Sequence, residues 1–389
     1  MAPIRVALVG LSASAKTSWA ADAHLPYLLS ERGRSHYKLV ALLNSSVKAA
    51  QATQQEYKLD PSIKTYGDPD DLAADPNVDL VVVNTRVDVH FSTAEPSIRA
   101  GKPVYIEWPL TENFQRALEL TKSRGLSNSI VGLQGRVTPL ILRIKQILAE
   151  GAIGQVYNSE VKAYGTLLER DALPESLLYF ADRKVGGHPI NIHYGHMIDY
   201  VHEVLGDWED FQSKMQIQRP ILNATAPDGS VTRTIKSDVP DFITVHGTLK
   251  PGKTDISAGA LLSVTFRAGQ ALKGQPGFTW TINGSKGELV ITAPGLYLMS
   301  GDSYDGPVKI YFHDHESDEM KELEWDWEGW QKELGLRARS TAAVYERYAR
   351  WIESGKGEVQ QRYEFPTLED GVRLMKEFDK LYRQHDPNW

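Results

Sequence analysis

The chain has 389 residues, of which 41% are hydrophobic and 24% charged, with a formal net charge of −7 and no cysteine. That length exceeds one ordinary hydrophobic core, so two domains are expected. The acidic balance lacks the concentrated basic face of a nucleic-acid binder, and the missing cysteines exclude disulfides, thiolate nucleophiles and cysteine-held metals.

The start, MAPIRVALVGLSASAK, has only a short apolar run. It is too short for a signal peptide or a membrane span, so no membrane association is expected. The expectation is cytoplasmic residence, or nuclear residence for a regulator. IRVALVG (4–10) is a β-branched run ended by glycine, the pattern of a buried parallel strand entering a turn. KLVALLN (38–44), VDLVVVNT (78–85), PVYIEW (103–108) and NSIVGLQG (128–135) repeat the pattern. Helix-like segments lie between them at 46–59, 90–101 and 113–125, the last stopped at Gly125. Strands alternating with helices predict a doubly wound parallel α/β sheet over residues 1–135, a Rossmann domain.

Near residue 135 the pattern changes. PLILRIKQILAEG (139–151) is an amphipathic helix, and period-2 strands follow at 154–165, 241–250, 259–269, 277–292 and 307–314. These predict a large, mostly antiparallel sheet in a second α/β domain over 136–366. The helix HYGHMIDYVHEVLG (193–206) interrupts the strands. The acidic, Trp-rich stretch 313–333 reads as a solvated loop and helix whose aromatics pack inward. A final helix is expected over 367–384, with Thr367 and Asp370 forming a weak capping box.

The turn after the first strand is a natural anion site, because a helix N-terminus presents free N–H groups and the positive end of its dipole. Dinucleotide folds place G-x-G-x-x-G there. Here the run is Gly10-Leu11-Ser12-Ala13-Ser14-Ala15, so only the first glycine remains, while Ser12 and Ala15 are small enough for close approach. The second strand normally ends in an acid that holds a ribose hydroxyl. Asn44 and Ser45, with Lys48 close behind, place no carboxylate where a 2′-phosphate would sit. That favours NADP, although Asn44 and Ser45 can also bind the hydroxyl of NAD.

The segments LVVVNTRVDVH, AGKPVYIEWPL, GLQGRVTP, EGAIGQVYN and GGHPINIHYGHMIDYVHEVLG fall in the order and spacing of one family. Together they make the chain resemble the glucose–fructose oxidoreductase and inositol dehydrogenase family over essentially its whole length. The resemblance implies an N-terminal Rossmann domain, a C-terminal α/β domain with a large open sheet, and a last helix packing back on the first domain. It implies NAD(P)-dependent chemistry on a sugar, polyol or similar small substrate. It also implies cofactor contacts at Gly10, Ser12 and Ala15, at Asn44 to Lys48, and at Asn84, Thr85, Arg86, His90, Glu107 and Trp108. His90 has the alternative of local packing, and Glu107 that of a buried hydrogen-bonding acid.

Two departures weaken the catalytic pattern. Most members carry Glu-Lys-Pro where this chain has Glu107-Trp108-Pro109, and an aspartate where it has Ile192. Indole replaces neither the charge nor the proton chemistry of lysine. Alcohol oxidation still needs a proton acceptor, a role suited to histidine. His196, with His193 or Tyr194, is therefore the expected proton-handling group, and Asp199 is placed to orient His196. Two histidines three residues apart have no carboxylate-rich partner stretch, so no metal is expected there. A second reading also stands. GLSASAK, ALLN, Glu-Trp, LQGR and ILRIKQIL resemble the fungal galactose-pathway repressor branch, whose members bind dinucleotide without turnover and mask an activator. That likeness implies a regulatory protein partner. An uncovered sheet face leads to the expectation of a homodimer or higher homo-oligomer.

Overall fold

Six strands form a parallel sheet in the computed structural model, which describes residues 2–12, 18–122, 128–165, 170–252, 254–298, 306–356 and 364–389. They are β1 Ile4–Val9, β2 Tyr37–Leu43, β3 Lys64–Tyr66, β4 Leu80–Val83, β5 Val104–Glu107 and β6 Ile130–Gly132. Their order is β3-β2-β1-β4-β5-β6. The order reverses between β1 and β4, and open α/β sheets bind ligands at that switch, beyond the carboxyl strand ends. Val9 pairs with Leu43 on one side and Val83 on the other. The next residues, Gly10, Asn44 and Asn84, therefore leave the sheet side by side. Two stretches form elements that periodicity did not announce. One is β3 with the helix Pro69–Ala74, and the other is the helical run Ala20–His36. The helix stop expected at Gly125 lies outside the described residues.

The chain divides into two units, Met1–Val137 with Gly329–Lys376, and Thr138–Glu328 with Glu377–Trp389. Residues 329–366, read from the sequence as part of the second domain, group instead with the first. The cause is the helix Leu336–Glu353, whose buried Ala338, Ala342, Tyr345 and Ala349 recur at helical spacing within the first unit's core. Polar contacts fix it there. The Tyr37 hydroxyl donates to the Tyr345 carbonyl at 2.7 Å, while Tyr27 and Arg32 both donate to Glu346 Oε1, at 2.9 and 2.6 Å. The edge strand β6 is also covered: Val131 N–H donates to the Pro366 carbonyl at 3.0 Å. Next to it the capping box is present, with Thr367 N–H and Oγ1 each 2.9 Å from Asp370 Oδ2. The Arg136 guanidinium lies 2.9 Å from Asp370 and holds that carboxyl well below the usual range despite its burial. The helix Leu368–His385 starts in the first unit and ends in the second.

The second unit carries β7 Val156–Gly165, β8 Ala172–Pro174, β9 Trp208–Gln216, β10 Ile221–Thr225, β11 Val231–Lys236, β12 Phe242–Leu249, β13 Ile256–Ala268, β14 Phe278–Gly284, β15 Gly287–Ala293, β16 Lys309–Asp314 and β17 Glu319–Leu323. Eight of them make one sheet in the order β17-β16-β15-β14-β7-β13-β12-β9, and β11-β10-β8 make a smaller one. In the large sheet β7 and β13 run parallel and the other neighbours antiparallel. β17 falls inside the acidic stretch expected to be loop and helix. Trp327 in that stretch is buried, and Trp325 donates its indole N–H to the Val308 carbonyl at 2.9 Å. Among the described residues no helix is long and apolar enough to cross a membrane.

Candidate dinucleotide and substrate sites

In the first unit, the turn after β1 is built on Gly10. Its φ is +82°, a conformation that costs glycine little, and a Cβ there would stand 2.8 Å from the Asn84 carbonyl oxygen. Ser12 lies in the same turn, and Ala15 lies outside the described residues. The outer wall of the turn is set by the segment after β2. Asn44 donates its amide to the Leu11 carbonyl at 2.6 Å, and Tyr57 donates its hydroxyl to the Ser12 carbonyl at 3.2 Å. Ser45 and Lys48 are exposed, and Lys48 makes no ion pair among the described residues.

Four buried polar atoms at these strand ends have no protein partner. Asn44 Oδ1, both amide atoms of Asn84, and Thr85 Oγ1 are buried and meet no hydrogen-bond partner. Native proteins rarely leave such atoms unsatisfied, because each costs about 1–3 kcal/mol. Together with the glycine turn they fit a nicotinamide dinucleotide, whose phosphates and carboxamide need donors and acceptors at this edge.

The other expected contacts divide. Arg86 is held by Asp88 through two 2.6 Å hydrogen bonds, so its guanidinium is already engaged. His90 is buried between the Thr85 carbonyl (2.8 Å from Nε2) and the Pro109 carbonyl (3.0 Å from Nδ1), with burial lowering its pKa. It clasps the β4 turn to the β5 turn. Trp108 is 5% exposed and precedes a cis Pro109.

Glu107 has partners that sequence reasoning missed. His24 Nε2 lies 2.9 Å from Glu107 Oε1, and His24 Nδ1 lies 2.8 Å from the Tyr345 hydroxyl. The His24 side chain is fully buried, whereas that of Glu107 keeps 11% exposure. One face of the carboxylate therefore stays open. Oε2 lies near Gly132, where a Cβ would stand 2.6 Å away. His24 sits in a single π-helical turn, Ala20–His24, a feature common at functional sites. The signal for its position was the Pro26 that opens the following helix; the signal for Tyr345 was the alanine spacing around it.

In the second unit, another π-helical turn, Ile190–Tyr194, leads into the helix Gly195–Leu205. It gathers His188, His193, Tyr194 and His196, all buried. Burial lowers His188 and His193 to about 3 and His196 to about 4. Nδ1 of His193 and Nδ1 of His196 meet no hydrogen-bond partner. Asp199, one turn further along the same helix, is buried as well. His193 stands edge-on to Tyr297, ring centroids 5.0 Å apart. Tyr194 packs against Phe266 and Phe378, and burial raises its hydroxyl well above the usual range. Asn191 accepts a 2.5 Å hydrogen bond from Tyr382.

Residues 4–131 match the family model described as the oxidoreductase family with an NAD-binding Rossmann fold, and residues 139–293 match that of the Gal80p C-terminal domain. The chain is 29% identical over 299 residues to the dehydrogenase aclE of Aspergillus oryzae, covering 76% of this chain and 78% of that protein. In fold it is similar to a super-repressor mutant of Gal80p from Saccharomyces cerevisiae, with a TM-score of 0.85 at 22% identity over 100% and 97% of the two chains. It is similar also to levoglucosan dehydrogenase solved with NADH and levoglucosan, with a TM-score of 0.73 at 15% identity over 98% and 97%. Residues 4–131 thus belong to the oxidoreductase family with an NAD-binding Rossmann fold, and residues 139–293 to the family of the Gal80p C-terminal domain.

Proposed function

We propose that the chain is an NAD(P)-dependent oxidoreductase acting on a hydroxyl of a sugar, polyol or similar small molecule. One observation carries the reading: two buried imidazoles, His193 and His196, have pKa values held far below neutrality and an Nδ1 without a protein partner. A ligand hydroxyl would satisfy these nitrogens. A repressor that never turns over has no need of them. The dehydrogenase relative supports the redox reading, and the neighbour solved with levoglucosan supports a sugar-like substrate.

In this reading Gly10, Ser12 and Ala15 with Asn84 and Thr85 hold the dinucleotide, and the open face of Glu107 holds a ribose hydroxyl. The chemistry the bound dinucleotide supplies is hydride exchange. His196, at 9% exposure the more open of the two imidazoles, accepts the hydroxyl proton. It is neutral at physiological pH, so its lone pair is available to the hydroxyl proton. His193, beside it, orients the substrate. Tyr194 serves packing. Lys48 and the absence of an acid after β2 favour NADP over NAD. We also propose a homodimer through the outer face of the large sheet, where Tyr157 on β7 and Leu261 on β13 are exposed. A dinucleotide absorbance screen over sugars, polyols and keto-sugars, with His196→Ala as control, tests the catalytic claim.

A second reading has its own support. Trp108 replaces the family's lysine, Ile192 replaces its aspartate, and the C-terminal domain matches that of Gal80p. These favour a dinucleotide-binding regulator with a protein partner, for which tight cofactor binding without turnover is the signature.

A further inference from the structure

The hairpin of β15 and β16 and the turn after it bring three ligating side chains together. Glu288 on β15 lies directly opposite His313 on β16 in the antiparallel register, and His315 follows in the turn after β16. Directly opposed positions share a face of the sheet. One ligating atom from each of Glu288, His313 and His315 lies within 4.8 Å of the other two. The two imidazoles stand edge-on, centroids 5.5 Å apart. Glu288 and His313 are half-buried and His315 is exposed, so an ion reaches them from solvent, and small side-chain rotations bring the three donors to coordination distance.

The surroundings suit a metal. His313 donates its Nε2–H to Asp318 Oδ1 at 2.9 Å, which leaves the Nδ1 lone pair for a cation. A ligating imidazole steadied by a carboxylate on its other nitrogen is the usual outer-shell arrangement. The backbone of His315 is anchored too, its N–H donating to the Lys286 carbonyl at 3.0 Å. Two imidazoles and one carboxylate match the donor set and charge that zinc prefers, with water completing four ligands, whereas calcium and magnesium require more oxygens.

We propose that Glu288, His313 and His315 form a zinc-binding site on this hairpin, with Asp318 as the positioning residue for His313. It lies on other elements than the histidine cluster around His196 and stands independently of the catalytic reading.

Calorimetric titration of the full-length protein with Zn²⁺, with Co²⁺ absorption as a second probe, tests the site. The expected result is saturable one-to-one binding that His315→Ala and Glu288→Gln each weaken by about 10- to 100-fold, with Asp318→Asn weakening it less. These positions are half-buried or exposed, so thermal unfolding of the metal-free variants should match wild type and separate lost ligation from lost folding. Wild-type binding no tighter than that of a His313→Ala/His315→Ala double variant overturns the proposal.

Discussion

His24 and Glu107 meet through a 2.9 Å hydrogen bond inside the first unit, and His24 is held from its other ring nitrogen by the Tyr345 hydroxyl at 2.8 Å. For the singly protonated ring, Nε2–H donates to the carboxylate and Nδ1 accepts from Tyr345. The chain of contacts aims Glu107 from behind and leaves its other face open. Removing His24 strands a mostly buried carboxylate, so His24→Ala should destabilise the protein by about 3–5 kcal/mol. Tyr345→Phe leaves one imidazole nitrogen unsatisfied and should cost about 1–3 kcal/mol. Urea unfolding checks both. Equal, negligible effects would mean that the contacts carry no stability.

The three buried histidines of the second unit predict a pH dependence of stability. Their folded pKa values, about 3 for His188 and His193 and about 4 for His196, lie below the unfolded value near 6.5. Between those limits the unfolded chain binds more protons than the folded one, so stability rises with pH. The stabilisation is complete above about pH 6.5 and is lost progressively as pH falls towards 4. Urea midpoints at pH 7.5, 6 and 5 should fall in that order, and His196→Gln should flatten the trend. Most carboxylates titrate lower, which separates the two effects.

The parallel sheet was legible because β1, β2, β4, β5 and β6 are continuous apolar runs, each ending at a polar or glycine turn. Gly10 was legible for the same reason: it follows the run directly. His24 was not, because its partners come from residues 107 and 345, and no local period encodes such long-range pairing. The helix Leu336–Glu353 was missed because its buried stripe mixes alanines and aromatics with the polar Ser340, Thr341 and Glu346, which blurs the hydrophobic period. Ser12, Asn44 and Asn84 fell where the strand-end pattern put them. Arg86 pairs with its neighbour Asp88, a contact that a spacing of two residues in a turn allows and that the strand-end pattern did not announce. The π-turn Ile190–Tyr194 ahead of His196 was not legible, because no local period in the sequence marks such a turn.

Trp108 fills a buried position where the family resemblance implies a lysine. Trp108→Ala should cost about 3–5 kcal/mol by leaving a cavity. Trp108→Lys should destabilise at least as much, because it buries a cation. If His196 handles the proton, restoring the lysine should not raise turnover. Differential scanning calorimetry and steady-state rates on the same preparations separate the two effects.

Lys48 is exposed and unpaired among the described residues, beside a strand end that lacks a carboxylate. NADPH should bind more tightly than NADH. Lys48→Ala should weaken NADPH by about tenfold and leave NADH unchanged, as expected for one charge-assisted contact. Fluorescence titration with both dinucleotides checks this, and equal losses would remove Lys48 from phosphate recognition.

The most direct measurement is dinucleotide absorbance during turnover over a panel of sugars, polyols and keto-sugars, for wild type and His196→Ala. The proposed function predicts turnover with at least one hydroxy compound, nearly flat between pH 6 and 8 as far as His196 sets it. His196→Ala should abolish that turnover without weakening dinucleotide binding. Tight dinucleotide binding with no turnover by wild type across the panel would contradict it and favour the regulator.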